Sequence, residues 1–180
     1  VGWAGLKVPL PHFLGADVAG VIAEVGANVA DFKVGQRVTV NPTLSCGAHV
    51  LSGAEGCEFC LRGEDQMCVK MKLLGETTRG GYAEYLAVPA RNLLAMPDDF
   101  SFEEGAAANL VMVTAWHSLM RKGCVRAGED VLIVGAGGGV NTASIQIAKM
   151  AGARVFVVAS NAEEGAKAKA LGADVVIDRS

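Results

Sequence analysis

The sequence contains no block of five or more like charges and no stripe of basic side chains. Its net charge is only −3 over 180 residues. Binding to nucleic acid or to an anionic membrane surface requires a clustered positive charge, which is missing from this chain. We therefore expect neither a nucleic-acid partner nor a membrane partner.

Long apolar runs are also missing. The most apolar window, residues 106–120, is broken by Asn109, Thr114 and His117 well before the ~20 apolar residues that a membrane helix needs. The opening residues, VGWAGLKVPLPHFLG, have neither the basic start nor the apolar core of a secretory signal. We expect a cytoplasmic protein, and the hydrophobic content of 51% is enough for a packed core.

Cysteine is scarce, but four of the five cysteines fall between positions 46 and 68. In a reducing compartment such a cluster is more often a metal site than a set of disulfides. The C-x2-C spacing at its centre is the knuckle of structural zinc sites. Four free thiols are one alternative, and a site in which His49 replaces Cys57 is another. The predicted zinc ligands are Cys46, Cys57, Cys60 and Cys68.

Glycine is abundant, and its most informative cluster lies in DVLIVGAGGGVNTASIQIAKMAGA, residues 130–153. The apolar run 131–134 stops at Gly135, which predicts a buried strand of a parallel sheet. Apolar positions at helical spacing follow as far as Gly152, and a second strand is predicted at 154–158. Strand, glycine turn, helix and strand together form a βαβ unit.

Glycines in such a turn let the backbone approach an anion closely, so that a dinucleotide's pyrophosphate can bind the N–H groups at the helix N-terminus. The G-x-G-x-x-G fingerprint is incomplete in both registers, whose glycine positions fall at Ala136, Gly138 and Asn141 or at Gly135, Gly137 and Val140. A purely structural turn is the alternative. The predicted cofactor-binding residues of this region are Gly137, Gly138, Gly139, Val140, Asn141, Ser160 and Asn161.

The end of the second strand, residues 159–161, carries no acid. Sites selective for NAD usually have one there, because it accepts hydrogen bonds from the ribose hydroxyls and repels the 2′-phosphate of NADP. Ser160 and Asn161 offer donors instead, and Lys167 or Lys169 on the following helix could approach that phosphate. We therefore expect NADPH to be preferred over NADH.

The remaining pattern indicates a β-rich region followed by an α/β region. Strands are predicted at 18–25, 37–40, 80–88 and 92–96, and Ser101 with Glu104 forms a capping box that opens a helical stretch to residue 122. A third parallel strand is predicted at 174–178. Three such strands make only the first half of a dinucleotide-binding sheet, so we expect this chain to be part of a longer one.

The order of motifs is specific: GADVAG at 15–20, FKVGQRV at 32–38, the cysteine cluster, GGYAEY at 80–85 and the glycine turn. In this order the chain resembles the medium-chain dehydrogenase/reductase superfamily of zinc alcohol dehydrogenases and quinone oxidoreductases. The resemblance implies a GroES-like catalytic domain over 1–105, with a zinc lobe at 46–68, and the first half of a Rossmann doubly wound parallel sheet over 106–180. It also implies NAD(P)-dependent hydride transfer on a small-molecule substrate, with a nicotinamide in the cleft between the domains, and a homo-oligomer.

Two positions depart from the resemblance. The histidine that binds catalytic zinc in the alcohol dehydrogenases corresponds to Ala16. The second cysteine of that site corresponds to Leu110, if Thr114 is the threonine that packs near the nicotinamide. Neither side chain can bind zinc, so we expect a structural zinc and no catalytic one. The resemblance then implies reduction of quinones or α,β-unsaturated carbonyls, which spread negative charge by conjugation.

Alternatives remain open at this point, and the catalytic residues themselves are unknown. A zinc-free alcohol or aldehyde dehydrogenase is one alternative. A non-enzymatic nucleotide-binding sensor is another, because Asn141 departs from the glycine fingerprint.

Overall fold

The computed structural model describes residue 8, residues 10–46 and residues 56–179. Within these ranges no helix is long and apolar enough to cross a membrane. The chain divides into two compact units between Leu110 and Val111, inside a single helix. The domain boundary expected from the sequence, between residues 105 and 106, stays a prediction.

The first unit is built on a three-stranded antiparallel sheet in which β2 (Arg37–Val40) lies between β1 (Val18–Val21) and β5 (Leu93–Ala95). Val18 of β1 lies opposite Val40, and Val38 of β2 lies opposite Ala95. Val38 and Val40 are buried, as alternation along a half-buried strand requires. Its elements are the strands β1 (Val18–Val21), β2 (Arg37–Val40), β3 (Thr43–Leu44), β4 (Lys72–Leu73) and β5 (Leu93–Ala95), the short helix α1 (Glu58–Leu61), and 3₁₀ turns at Asp65–Met67 and Ala90–Asn92.

Two loops of the first unit cross with their backbones in contact. The N–H of Gly80 donates to the carbonyl of Phe13 at 2.7 Å, and the N–H of Tyr82 donates to the carbonyl of Leu14 at 2.9 Å. A β-carbon placed on Gly80 would lie only 2.3 Å from the carbonyl oxygen of Gly15. The GADVAG and GGYAEY motifs are therefore held together by a contact that a side chain at Gly80 would prevent.

The strand predicted at 80–88 is wrong, because this segment has no regular strand structure. Its first residues hydrogen-bond to the loop at 13–15, and Tyr82 and Tyr85 are 76% and 80% exposed. An alternating pattern predicts a strand only where a partner strand is available, and none in the described part of the chain pairs with this segment. The predicted strand at 18–25 is also shorter and ends at Val21.

The second unit contains a parallel sheet in which β7 (Arg154–Ala159) lies between β6 (Asp130–Val134) and β8 (Val175–Asp178). The predicted alternation of strands and helices is confirmed here. The helix α2 (Phe102–Trp116) precedes this sheet in the chain. The capping box predicted at the start of α2 is formed, since Ser101 and Glu104 exchange hydrogen bonds of 2.8 and 3.1 Å. The elements from α2 onward are α2 (Phe102–Trp116), a π-helical segment (His117–Lys122), β6 (Asp130–Val134), α3 (Gly139–Met150), β7 (Arg154–Ala159), α4 (Ala162–Ala170) and β8 (Val175–Asp178).

The core of the second unit lies between the sheet and the helices α3 and α4. Ile145 of α3 and Val155 and Val157 of β7 are fully buried. Each such side chain contributes roughly 1.5–3 kcal/mol by leaving water. Ala148 and Ala168, which belong to the same buried cluster, let the two helices approach the sheet closely. The sheet and both helices therefore form one packed body that positions the turn after β6.

We predict that Gly80→Ala destabilises the full-length protein by about 1–3 kcal/mol, because the added methyl group must push apart two backbone segments. The matched control is Gly20→Ala, since a β-carbon at Gly20 meets nothing within 4 Å. The free energy of unfolding from denaturant titration measures both. Equal values for the two variants would show that the loop crossing has room for a side chain.

Candidate functional site

Four cysteines of the first unit converge as the sequence predicts. Their sulfur atoms all lie within 4.8 Å of one another, and the Cys46 and Cys60 sulfurs are 3.6 Å apart. A zinc ion bound by four thiolates at ~2.3 Å would separate the sulfurs by ~3.8 Å. Cys46 and Cys68 are buried, and Cys57 and Cys60 are half-buried. The four residues therefore fit a closed structural zinc site.

Local structure directs these sulfurs toward one another. Cys57 is the N-cap of α1 and Cys60 lies within it, so one helical turn brings the two residues of the knuckle together. Backbone N–H groups of Cys57 and Cys46 donate to the sulfurs of Cys46 and Cys68 at 3.2 and 3.3 Å. Donors of this kind stabilise thiolate charge, which zinc ligands must carry.

The thiols differ in acidity. The backbone N–H of Cys60, followed by that of Val69, lowers the pKa of the Cys57 thiol to about 6. Burial, followed by the carboxylate of Asp65, raises the pKa of the Cys60 thiol. Cys57 is therefore largely a thiolate at neutral pH, and Cys60 must lose a proton when a metal binds.

A polar network joins the cysteine lobe to the central sheet. Asp65 accepts a hydrogen bond from the Ser45 hydroxyl at 2.9 Å and one from the Arg91 guanidinium at 2.8 Å. Ser45 directly precedes Cys46, and Arg91 lies in the 3₁₀ turn that leads into β5. Both charged side chains are partly shielded from water. The network therefore holds the lobe through Asp65, which lies three positions before Cys68.

Four further positions bear on metal binding: His49, Cys124, Ala16 and Leu110. His49, the alternative zinc ligand, lies outside the described residues. Cys124, to which the sequence assigns no role, is exposed after the π-helical segment. Ala16 is half-buried in the loop beside β1, and Leu110 lies in α2. Alanine and leucine side chains have no metal-binding atom, and the absence of a catalytic zinc stays a prediction.

The glycine turn of the second unit leads into an uncapped helix. Gly138 is the N-cap of α3, and no side chain caps its N–H groups. Helix N-termini of this kind attract anions through free N–H donors and the helix dipole. Gly139 has a second role, because a β-carbon there would lie 3.0 Å from the side chain of Val111 in α2. The turn therefore combines an anion-accessible backbone with close packing against α2.

Asn141 is accommodated in the first turn of α3 by a hydrogen bond. Its side-chain amide donates to the carbonyl of Val134 at 3.0 Å and so ties the helix to the end of β6. A glycine at this point would allow closer approach of helix and strand. The asparagine replaces that contact with a polar one, and neighbouring Val140 packs on the cluster formed by α2 and α3.

Thr114 is exposed on α2, three residues after Val111. Because residues three apart share a helix face, Thr114 lies one turn along α2 from the side chain that contacts Gly139. Its carbonyl accepts a hydrogen bond from Ser118 at 2.9 Å. The structure thus places the predicted nicotinamide-side residue on the helix that packs against the glycine turn.

Ser160 and Asn161 are engaged with the helix α4 that they precede. The Asn161 side chain caps α4 by accepting from the N–H of Glu164 at 2.9 Å. The N–H of Ser160 in turn donates to the Glu164 carboxylate at 3.1 Å. The sequence interpretation missed Glu164, although N-x-x-E is a capping-box signature that predicts such a return of the acid.

The two lysines expected near a 2′-phosphate have other partners. Lys167 pairs with Glu163 at 2.7 Å on the exposed face of α4. Lys169 donates to the carbonyl of Asp174 at 2.5 Å, just before β8 begins. Because β7 and β8 are parallel, the start of β8 lies beside the start of β7 and far from its end. Lys169 therefore lies away from the end of β7.

Two family models match the chain. Residues 2–98 match the alcohol dehydrogenase GroES-like domain, and residues 139–180 match the zinc-binding dehydrogenase family.

Relatives with known structures or functions match almost the whole chain. An alcohol dehydrogenase of Geobacillus stearothermophilus is 36% identical over 173 residues, covering 96% of this chain and 49% of the relative. A human quinone oxidoreductase is 35% identical over 161 residues, covering 89% and 38%. The crystal structure of an NAD-dependent alcohol dehydrogenase is 47% identical with a TM-score of 0.89, covering 96% and 48%. The chain thus spans about half the length of most of the relatives it matches.

We predict that the full-length protein binds one zinc per chain through the cysteine lobe. Cys57→Ser should lower the zinc content and reduce the free energy of unfolding by several kcal/mol, because three sulfurs close the site poorly. Cys124→Ser is the control and should retain the metal. Elemental analysis checks both. Two zinc ions per chain, or an unchanged content in Cys57→Ser, would contradict the four-sulfur site, and the second result would favour His49.

We also predict that Asp65→Asn speeds the release of zinc to a chromogenic chelator by roughly tenfold, since partners of metal ligands typically change affinity by 10–100-fold. The asparagine keeps an acceptor for Ser45 and loses the ion pair with Arg91. Glu58→Gln provides the same charge change at an exposed pair with Arg62 on the same lobe. Equal release rates in the two variants would rule out a positioning role for Asp65.

Proposed function

Because the chain belongs to the medium-chain dehydrogenase/reductase superfamily, we propose that the whole protein is an NAD(P)-dependent oxidoreductase. The observation that carries this proposal is the uncapped N-terminus of α3, reached through three consecutive glycines at the end of β6. Since the chain spans about half of most of its relatives, the proposal concerns the complete protein. It includes a small-molecule substrate, a cytoplasmic location and a homo-oligomeric state.

Each part of the turn has a separate task in this proposal. The main-chain N–H groups of residues 138–141 bind the pyrophosphate, and Gly137, Gly138 and Gly139 leave the path to them open. Asn141 keeps the turn in shape through its bond to the Val134 carbonyl. Thr114 orients the nicotinamide from α2, which the contact between Val111 and Gly139 holds beside the turn.

The cysteine lobe has a structural task in the same proposal. Cys46, Cys57, Cys60 and Cys68 hold a zinc ion that closes the loop between β3 and β4. All four ligand positions are protein sulfurs, so no position is open for a substrate.

We propose quinones or α,β-unsaturated carbonyls as the substrate class. The support is the resemblance to alcohol dehydrogenases, in which Ala16 corresponds to the histidine ligand of the catalytic zinc and, if Thr114 is the threonine near the nicotinamide, Leu110 corresponds to a cysteine ligand. A reduced nicotinamide bound at the turn after β6 would supply hydride to such an acceptor, and a proton from water would complete the hydroquinone or saturated carbonyl. The conjugated system spreads the negative charge that zinc would otherwise stabilise. One relative, the human quinone oxidoreductase, carries this activity in its name.

A zinc-free alcohol or aldehyde dehydrogenase is the second candidate. It is favoured by the names of several relatives, among them the alcohol dehydrogenase of Geobacillus stearothermophilus. The two candidates differ in the acceptor, because an isolated carbonyl concentrates the developing charge on one oxygen.

The test of this function uses the full-length protein with NADH and NADPH. We expect turnover of menadione or cyclohexenone, and we expect it to survive a chelator that removes only accessible metal. Loss of nicotinamide absorbance measures the rate. Turnover of simple alcohols and aldehydes alone would support the second candidate. Binding of both dinucleotides without turnover of any acceptor would point to a nucleotide sensor.

A variant of the turn tests the cofactor site separately. Gly138→Asp should weaken dinucleotide binding at least tenfold, because an N-cap carboxylate takes the helix N–H groups and repels phosphate. The fold should tolerate it, since a β-carbon at Gly138 meets its nearest neighbour at 3.9 Å and aspartate is a favourable N-cap. Gly138→Asn is the uncharged control and should bind more tightly than Gly138→Asp. Unchanged binding in Gly138→Asp would place the pyrophosphate elsewhere.

A further inference from the structure

The carboxylate of Glu164 lies between the end of β7 and the glycine turn. Its Oε2 accepts a hydrogen bond from the N–H of Ser160 at 3.1 Å. Its Oε1 would lie 3.3 Å from a β-carbon placed on Gly137. The side chain is half-buried. One carboxylate therefore hydrogen-bonds to the end of β7 and lies beside the glycine turn, the two segments that flank a dinucleotide in a doubly wound sheet.

This position matters for cofactor choice. In dinucleotide-binding sheets an acid that follows the second strand accepts hydrogen bonds from the adenosine ribose and disfavours a 2′-phosphate. Residues 159–161 contain no acid, and the sequence alone therefore favoured NADPH. In the structure, the first turn of α4 brings a carboxylate back to this place from Glu164.

A 2′-phosphate bound at this place would need a positive side chain as its partner. Lys167 pairs with Glu163, and Lys169 donates to a carbonyl at the start of β8. Arg179 follows β8 and is exposed, and its N–H donates to the carbonyl of Ala159 at 3.0 Å. The backbone of Arg179 thus lies beside the end of β7, which makes Arg179 a candidate among the described residues for pairing with a 2′-phosphate.

We propose that Glu164 is the specificity-determining acid of the cofactor site and that the complete protein prefers NADH to NADPH. Oε1 accepts a hydrogen bond from the adenosine ribose, while Oε2 stays bonded to Ser160. The negative charge repels a 2′-phosphate. The inference rests on the proposed function, because it assumes that the turn after β6 binds a dinucleotide.

Glu164 also has a capping role, which the test must separate from cofactor selection. Asn161 accepts from the N–H of Glu164, and the Glu164 carboxylate accepts from the N–H of Ser160, one residue before the N-cap, so this capping arrangement alone would hold the carboxylate in place. Glu164→Gln keeps an oxygen that accepts from Ser160 and removes the charge. Glu163→Gln is the matched control, since it removes the neighbouring charge from the exposed face that bears Lys167.

The experiment measures dissociation constants of NADH and NADPH for the full-length protein at one fixed, low salt concentration. Low salt is needed because mobile ions screen exposed charges. We expect tighter binding of NADH by the unmodified protein. Glu164→Gln should shift the ratio of the two constants toward NADPH by roughly tenfold, which corresponds to about 1.4 kcal/mol. Glu163→Gln should leave the ratio unchanged.

Several results would overturn the inference. Tighter binding of NADPH than of NADH by the unmodified protein would overturn the inference directly, even if Glu164→Gln failed to fold. If Arg179→Gln then lost the preference for NADPH, that preference would be assigned to Arg179. An unchanged ratio in a folded Glu164→Gln would assign Glu164 to capping alone. In each of these cases both dinucleotides bind and the proposed function stands. Binding of neither dinucleotide would overturn the proposed function, and the inference with it.

Discussion

Close approach of backbone segments at glycine positions is the constraint on which both units depend. In the first unit, Gly80 lets the loop that carries Ala16 hydrogen-bond to the GGYAEY segment. In the second unit, Gly139 lets α2 pack against the turn after β6. Main-chain donors can serve structure or ligand only where no side chain covers them. The same property therefore holds the first unit's loops together and exposes the helix N-terminus that is proposed to bind pyrophosphate.

The cysteine lobe is stabilised in a different way from the two glycine contacts. Its elements within the described residues are very short, with a four-residue helix and two-residue strands, and no residue of that helix is buried. Four convergent sulfurs and the network around Asp65 supply the cohesion that a hydrophobic core supplies in the second unit. A closed set of four sulfurs is the arrangement of a structural zinc site, and it uses nothing from Ala16 or Leu110.

Local patterns predicted the elements that depend on neighbouring residues. The capping box at Ser101 and Glu104, the strand–helix alternation after residue 130 and the medium-chain dehydrogenase/reductase family were all recognisable from spacing and motif order. The prediction of a strand at 80–88 was wrong. Alternation of apolar and polar residues shows that one face of a strand could be buried, but it does not show that a partner strand is present. The acid near the glycine turn was not predicted, because the expected position lies at residues 159–161, directly after the strand, while Glu164 returns from the following helix.

The sequence by itself determined the fold class and the residue types available for metal and nucleotide binding, since these follow from periodicity, turn residues and cysteine spacing. Tertiary structure alone decided which of those residues meet. Asp65 reaches Arg91 in a distant turn, and the Glu164 carboxylate lies beside Gly137. Contacts between residues far apart in sequence depend on how whole elements pack, and no local pattern carries that information.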